Sequence, residues 1–291
     1  MPIVSALSEL QHATRERYAV PHFDVWDSTT TDGVLDALVE KRAPGIIAVY
    51  SGVFAGPTAR GLAAYIRARA EEAPVPVAIL LDHGAGLANC VQAIRYGFTD
   101  VMFDGSRLPF EENLDRTRTI VNAAHAAGVY VEAELGHVGL AGDLETEPGH
   151  RSGLTDPGMA AEFVRESGVD YLAVAIGTAH GVYRGEPHLE LELLHEIRRL
   201  VDVPLVLHGG TGLAGEPLRA AIAGGIAKIN VSTDLFNSAG RRVAAADWVA
   251  VEAPWAEDPS YFQATATIAD AFRQRCLEYI DLFGAAGRAL V

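Results

Sequence analysis

The chain predicts an α/β protein, a (β/α)8 TIM barrel, on three observations. Eight strand-like apolar runs alternate with segments of helical spacing along 291 residues, and about 250 residues is typical of such a barrel. Glycines stand just past several helical stretches and just before the next strand. Reactive side chains recur where strands stop, and the carboxyl ends of the strands are where barrels carry their chemistry.

In chain order, strands are expected at about 18–25, 45–50, 76–82, 100–103, 129–135, 170–176, 203–207 and 226–231. Each is a short apolar run of the kind buried in parallel sheets. Between them, TTTDGVLDALVEKR (29–42), LANCVQAIRYG (87–97), FEENLDRTRTIVNAAHAAG (110–128), PGMAAEFVRESG (157–168) and LELLHEIRRLV (191–201) repeat apolar residues at helical intervals. Gly97, Gly128, Gly168 and Gly225 mark the helix ends. A doubly wound open sheet is the main rival. It fits less well because no GxGxxG follows the first strand and the polar residues recur after strands 3 to 8 rather than at one switch point. One domain over 1–291 is expected, with a C-terminal helical extension from about 258 to 291.

Composition narrows the function. A net charge of −15 leaves no basic stripe for nucleic acid. No apolar run approaches the roughly 18 residues of a membrane span, and the N-terminus does not read as a signal peptide. Cys90 and Cys276 have no ligand-pair spacing and read as reduced, buried thiols of a cytoplasmic protein.

Three histidines, His83, His180 and His208, follow strand-like runs and are each flanked by glycine (LDHG, TAHG, LHGG). Imidazoles delivered from separate strands suit a catalytic Zn²⁺ with an open coordination position. Asp82, beside His83, supplies a carboxylate for acid/base work or for orienting an imidazole. Asp104 and Glu134 are candidates for a second cation or for loop caps. His22 and Asp24, at the end of strand 1, are secondary candidates for lining the pocket. The remaining histidines, His12, His125, His137, His150, His188 and His195, read as structural or solvated. The turns His208-Gly209-Gly210-Thr211-Gly212 and Asn230-Val231-Ser232-Thr233 can aim backbone N–H groups at a phosphate, which barrels commonly hold after strands 7 and 8.

Seven stretches, LDHG (81–84), GFTDVMFDGS (97–106), VEAELG (131–136), AIGTAHGVYRG (175–185), LHGGTG (207–212), KINVSTDL (228–235) and FGAAGRA (283–289), together resemble the class II, zinc-dependent ketose-bisphosphate aldolases. The resemblance implies Zn²⁺ on His83, His180 and His208 and a proton carrier in Asp82. It places dihydroxyacetone phosphate against Gly181, Gly209, Gly210, Thr211, Asn230, Val231, Ser232 and Thr233. It assigns Asp104 and Glu134 to a secondary metal position and implies a monovalent cation near the phosphate. A phosphorylated sugar substrate and a homodimer or homotetramer follow. In cleavage, Zn²⁺ would polarise the C2 carbonyl while Asp82 takes the C4 hydroxyl proton. Fructose and tagatose 1,6-bisphosphates are the leading substrates.

The chain departs from the family pattern in four places. The loop after strand 5 reads GHVGLAGDLETEPGH (136–150), with Ala141 and Gly142 where acidic residues are expected; Asp143 is kept and Glu145 is a candidate substitute. Asp24 replaces an asparagine, Tyr50 followed by Ser51 stands where a serine is usual, and Arg184 replaces a lysine. Alternatives are an aldolase with another donor or acceptor, a metal-dependent hydrolase, and a non-catalytic barrel that binds a metal and a sugar phosphate. Schiff-base chemistry would need Lys41 or, by its strand parity, Lys228.

Overall fold

In the computed structural model, residues 3–139, 153–183, 187–213, 215–246 and 260–289 are described. Eight parallel strands close on themselves in chain order: β1 (Val20–Asp24), β2 (Gly45–Tyr50), β3 (Val77–Gly84), β4 (Asp100–Phe103), β5 (Tyr130–Leu135), β6 (Tyr171–Val174), β7 (Leu205–Leu207) and β8 (Ile226–Val231). The expected (β/α)8 barrel is the observed fold. Pairing of β1 with β8, His22 opposite Asn230, completes the ring.

The helices α1 (Ala6–Glu16), α2 (Ser28–Lys41), α3 (Ser51–Phe54), α4 (Ala59–Glu72), α5 (Leu87–Arg95), α6 (Phe110–His125), α7 (Pro157–Ser167), α8 (Leu191–Leu200), α9 (Gly215–Ala223), α10 (Thr233–Ala244) and α11 (Ser260–Leu282) complete the described elements. Local chemistry sets their ends. Asp27 caps α2 by accepting from Thr30 N at 2.8 Å, and Asp156 caps α7 ahead of Pro157 at its first turn. Gly168 ends α7 with φ 70°, a left-handed conformation that a side chain would oppose. The other expected stops, Gly97, Gly128 and Gly225, share positive φ.

The core is continuous from the barrel interior to the helix layer, and its large buried side chains include Phe23, Phe103, Phe163 and Phe272. α11 packs on α2 and α10. Gly33 permits the first contact: a Cβ there would lie 2.4 Å from the Ala269 carbonyl oxygen. α11 also reaches the mouth of the barrel, where Tyr279 donates to Asp234 at 2.9 Å and accepts from Gly212 N at 3.3 Å. The long terminal helix thereby braces the loops after β7 and β8.

Candidate metal centre and anion cradle

Strand periodicity alone would send Asp82 and His83 to opposite faces of the sheet. The structure brings both to the mouth. The β3–β4 register shifts between Leu81 and Gly84, and His83 takes φ 49° in the left-handed region. Such an irregularity re-aims side chains at the rim of a barrel. Gly84 makes it compatible with close packing, since a Cβ would lie 2.5 Å from the Met102 carbonyl oxygen.

His83, His180 and His208 converge. Their ring centroids are 5.1 Å (His83–His180), 4.8 Å (His83–His208) and 5.8 Å (His180–His208) apart. One nitrogen from each lies within 4.8 Å of the others. Carboxylates behind the rings fix two of them. His83 Nδ1 pairs with Asp104 Oδ2 at 2.8 Å, which turns Nε2 towards the cluster. His208 Nε2 pairs with Glu132 Oε1 at 2.8 Å, which leaves Nδ1 facing Glu134 Oε2 at 3.3 Å. Carboxylates that orient imidazoles in this way are typical of metal sites. The donors therefore fit a divalent ion such as Zn²⁺, with three imidazoles and an open side.

Electrostatics divide the rings. Burial opposes charge on His83, but Asp82 and the Asp104 hydrogen bond outweigh it and lift its pKa to about 10. Burial and the neighbouring imidazoles push His180 down to about 3. For Glu132, Lys228 and His208 overcome burial and lower it to about 2.

A cavity of about 660 Å³ opens over this cluster. Of the residues singled out in the sequence, Asp24, Asp82, His83, Asp104, His180, Gly181, Gly209, Thr211, Asn230, Ser232 and Thr233 border it. Gly210, Val231, Glu134, His22 and the fully buried His208 do not. Gly210 donates its N–H to the Asn230 carbonyl at 3.0 Å, so that group is already committed. Val231 is wholly buried. Glu134 is buried with Oε2 facing His208 Nδ1, and its other oxygen accepts from Val138 N at 3.2 Å. Gly209, with φ 69°, is required for close approach: a Cβ would lie 2.4 Å from the Ala179 carbonyl oxygen.

A buried network joins the two sides of the barrel. Lys228 Nζ contacts Glu132 Oε2 at 2.8 Å and donates to Asn230 Oδ1 at 2.7 Å. Asn230 Nδ2 in turn donates to Asp82 Oδ1 at 3.2 Å. Lys228 is fully buried and does not border the cavity, an arrangement unlike that of a Schiff-base nucleophile.

His137, read from the sequence as structural or solvated, stands in the cavity wall, as do Arg107 and Trp26, which the sequence did not single out. His137 pairs through Nδ1 with Ser106 Oγ at 3.2 Å, and Ser106 donates to Asp104 at 2.7 Å. The signal for His137 was present, since it follows Gly136 at the carboxyl end of β5, where histidines after other strands drew attention. Tyr50 and Ser51 also line the wall, and the Tyr50 ring stands edge-on to His83 at 6.4 Å. Ala141, Gly142, Asp143, Glu145, His150 and Arg184 lie outside the described residues.

The family model described as fructose-bisphosphate aldolase class II matches residues 4–288. The Escherichia coli K12 protein YdjI is 39% identical over 278 residues, covering 95% of this chain and 96% of YdjI. The crystal structure of the YdjI aldolase aligns at a TM-score of 0.86 and 35% identity, over 99% of this chain and 100% of that one. Fructose-bisphosphate aldolase of Campylobacter jejuni shares the fold at a TM-score of 0.80 and 21% identity, over 98% of this chain and 96% of that one. With its closed barrel and the clustered residues at its mouth, the chain belongs to the class II fructose-bisphosphate aldolase family.

Proposed function

We propose that this protein is a metal-dependent aldolase that reversibly cleaves a phosphorylated ketose to dihydroxyacetone phosphate and an aldehyde. The observation that carries the reading is the convergence of three imidazoles beside Asp82 and next to the β7 and β8 turns. His83, His180 and His208 would hold Zn²⁺, which when bound supplies a Lewis acid for the substrate carbonyl.

The chain's own groups do the rest. Asp82 takes the proton from the hydroxyl on the carbon that becomes the aldehyde, and returns it in the addition direction. Asn230, oriented by Lys228, holds the Asp82 carboxylate in place through its amide. The phosphate end sits against Gly181, Gly209 and Thr211 and the N-terminus of α10, where Ser232 and Thr233 border the cavity. A helix N-terminus offers unpaired N–H groups and a favourable dipole to an anion. Because the Gly210 N–H is engaged, the cradle rests on its neighbours. Asp104 orients His83 and Glu132 orients His208, while Glu134 faces the free His208 Nδ1 and, with His83 and Asp104, makes up the candidate secondary metal position. A homodimer or homotetramer is the expected assembly. Among the described residues, no helix is long and apolar enough to cross a membrane.

The test is a panel of ketose mono- and bisphosphates assayed for dihydroxyacetone phosphate with a coupled enzyme, before and after chelation and with Zn²⁺ restored. Chelator-sensitive release of the triose supports the reading. Hydrolysis without triose, ligand binding without cleavage, or borohydride trapping of a lysine adduct would each overturn it.

A further inference from the structure

Deeper in the same barrel, His22, Asp24 and Asp82 form a second cluster whose donor atoms lie within 4.8 Å of one another. His22 is fully buried, and among the described residues neither of its ring nitrogens meets a hydrogen-bond partner. Asp24, also buried, has Oδ1 in the same condition. Buried polar atoms are nearly always paired, because stripping them of water without replacement is expensive.

The spacing is informative. His22 Nε2 lies 3.5 Å from Asp24 Oδ1 and 3.6 Å from Asp82 Oδ1. Hydrogen bonds would draw such pairs to about 2.7–3.2 Å. Separations of about 3.4 Å are what a tetrahedral ion imposes on ligands bound at about 2.0–2.2 Å. One imidazole with two carboxylates is a donor set for Zn²⁺ or Mn²⁺. We propose that His22, Asp24 and Asp82 form a second, weaker divalent-cation site, joined to the three-imidazole cluster through the Asp82 carboxylate.

Asp82 is placed to bridge. Its Oδ2 lies 3.8 Å from His83 Nε2, while its Oδ1 faces His22. Two neighbours weaken the second site: Asn230 already donates to Asp82 Oδ1 at 3.2 Å, and the Lys228 ammonium acts on His22. Burial, followed by Lys228, holds His22 well below the usual imidazole value and so in its neutral, ligating form. Burial also lifts Asp24 to about 6, a penalty on its charge that a cation would relieve. Occupation of this site engages Asp82 and suppresses turnover, a consequence that rests on the proton-carrying role proposed above.

The test titrates metal-depleted, full-length protein with Zn²⁺ alone, counting bound ions by equilibrium dialysis. The wild type should take up a second ion at higher concentration. His22→Ala and Asp24→Asn should each weaken that second step by at least roughly tenfold while keeping the first. Thermal melts check that both variants fold, and the isosteric Asp24→Asn carries the test if His22→Ala does not. A single binding step in the wild type overturns the proposal, as does a second step unchanged in both variants. Loss of the second step in Asp104→Asn, with retention in His22→Ala, would move the ion to His83, Asp104 and Glu134. Cleavage should rise with the first ion and fall with the second. A second ion bound with turnover unchanged would leave the site standing and remove Asp82 from the proton transfer.

Discussion

The two ends of the barrel handle buried polar groups in opposite ways. At the amino-terminal floor, Glu9 Oε2 on α1 apart, they close on one another: Asp100 accepts from Ala6 N at 2.9 Å and from Tyr171 Oη at 3.1 Å, pinning α1 under β4 and β6. Asp170 accepts from Val131 N at 2.7 Å and pairs with His125 at 2.8 Å. At the carboxyl-terminal mouth and in the barrel interior just beneath it, His208 Nδ1, Glu134 Oε2, Asp24 Oδ1 and both nitrogens of His22 find no hydrogen-bond partner among the described residues. At the floor Asp100 and Asp170 tie separate elements together, whereas at the mouth the buried donors gather around His83, His180 and His208. That division is the expected one for a barrel enzyme, whose stability and activity sit at opposite ends.

Removing a donor at the mouth should break the comparison most sharply. His180→Ala should abolish zinc retention after dialysis and reduce cleavage by at least roughly 10³-fold, with little change in the melting temperature of the metal-free protein. Retained zinc with normal turnover would take His180 out of the metal set.

Next in size is Asp82→Asn. The first zinc should stay bound while kcat falls by roughly 10²–10⁴-fold, the range for loss of a general acid/base. Near-normal kcat would give Asp82 a purely positioning role.

Asp104→Asn should act on affinity rather than chemistry. Loss of its charge behind His83 should weaken zinc binding by about 10–100-fold, measured by competition with a chromophoric chelator, and excess zinc should restore turnover.

The floor gives the smallest effect and the opposite kind. Burial raises Asp100 from 3.8 to about 7, against the hydrogen bonds from Ala6 and Tyr171. A carboxyl whose folded pKa is raised contributes fully below its unfolded value, and that contribution is lost as pH rises through the folded value. Between about pH 4 and 8, unfolding free energy of the metal-free wild type should therefore fall relative to Asp100→Asn, by about 1–3 kcal/mol. Zinc affinity should not change. A constant difference in denaturant melts across that window would show that Asp100 stays ionised throughout.

Much of the site was legible because barrel logic converts strand ends into a shared face. Once eight strands were read, His83, His180 and His208 had to lie near one mouth. Asp24 and Asp82 followed for the same reason. Gly210 and Val231 lie in the two turns read from the sequence as phosphate-binding but do not border the cavity: the Gly210 N–H is used by Asn230, and Val231 is buried. A motif marks a turn but does not say which of its groups remain free. Arg107 carried no strand-end signal, and His137, whose place after β5 was one, was read as structural or solvated; only the structure shows the β4 and β5 loops bordering the same cavity.

By itself, the sequence determined the alternation of strands and helices, the helix ends at glycine, and the set of reactive side chains at the carboxyl ends, because local periodicity and turn chemistry act over a few residues. Only the tertiary structure decided that Asp82 and His83 share a face, through an irregularity between β3 and β4. It alone set the chain of contacts from His208 through Glu132, Lys228 and Asn230 to Asp82. Register, close approach and pairing across the barrel depend on residues far apart in the chain, and no local pattern records where they meet.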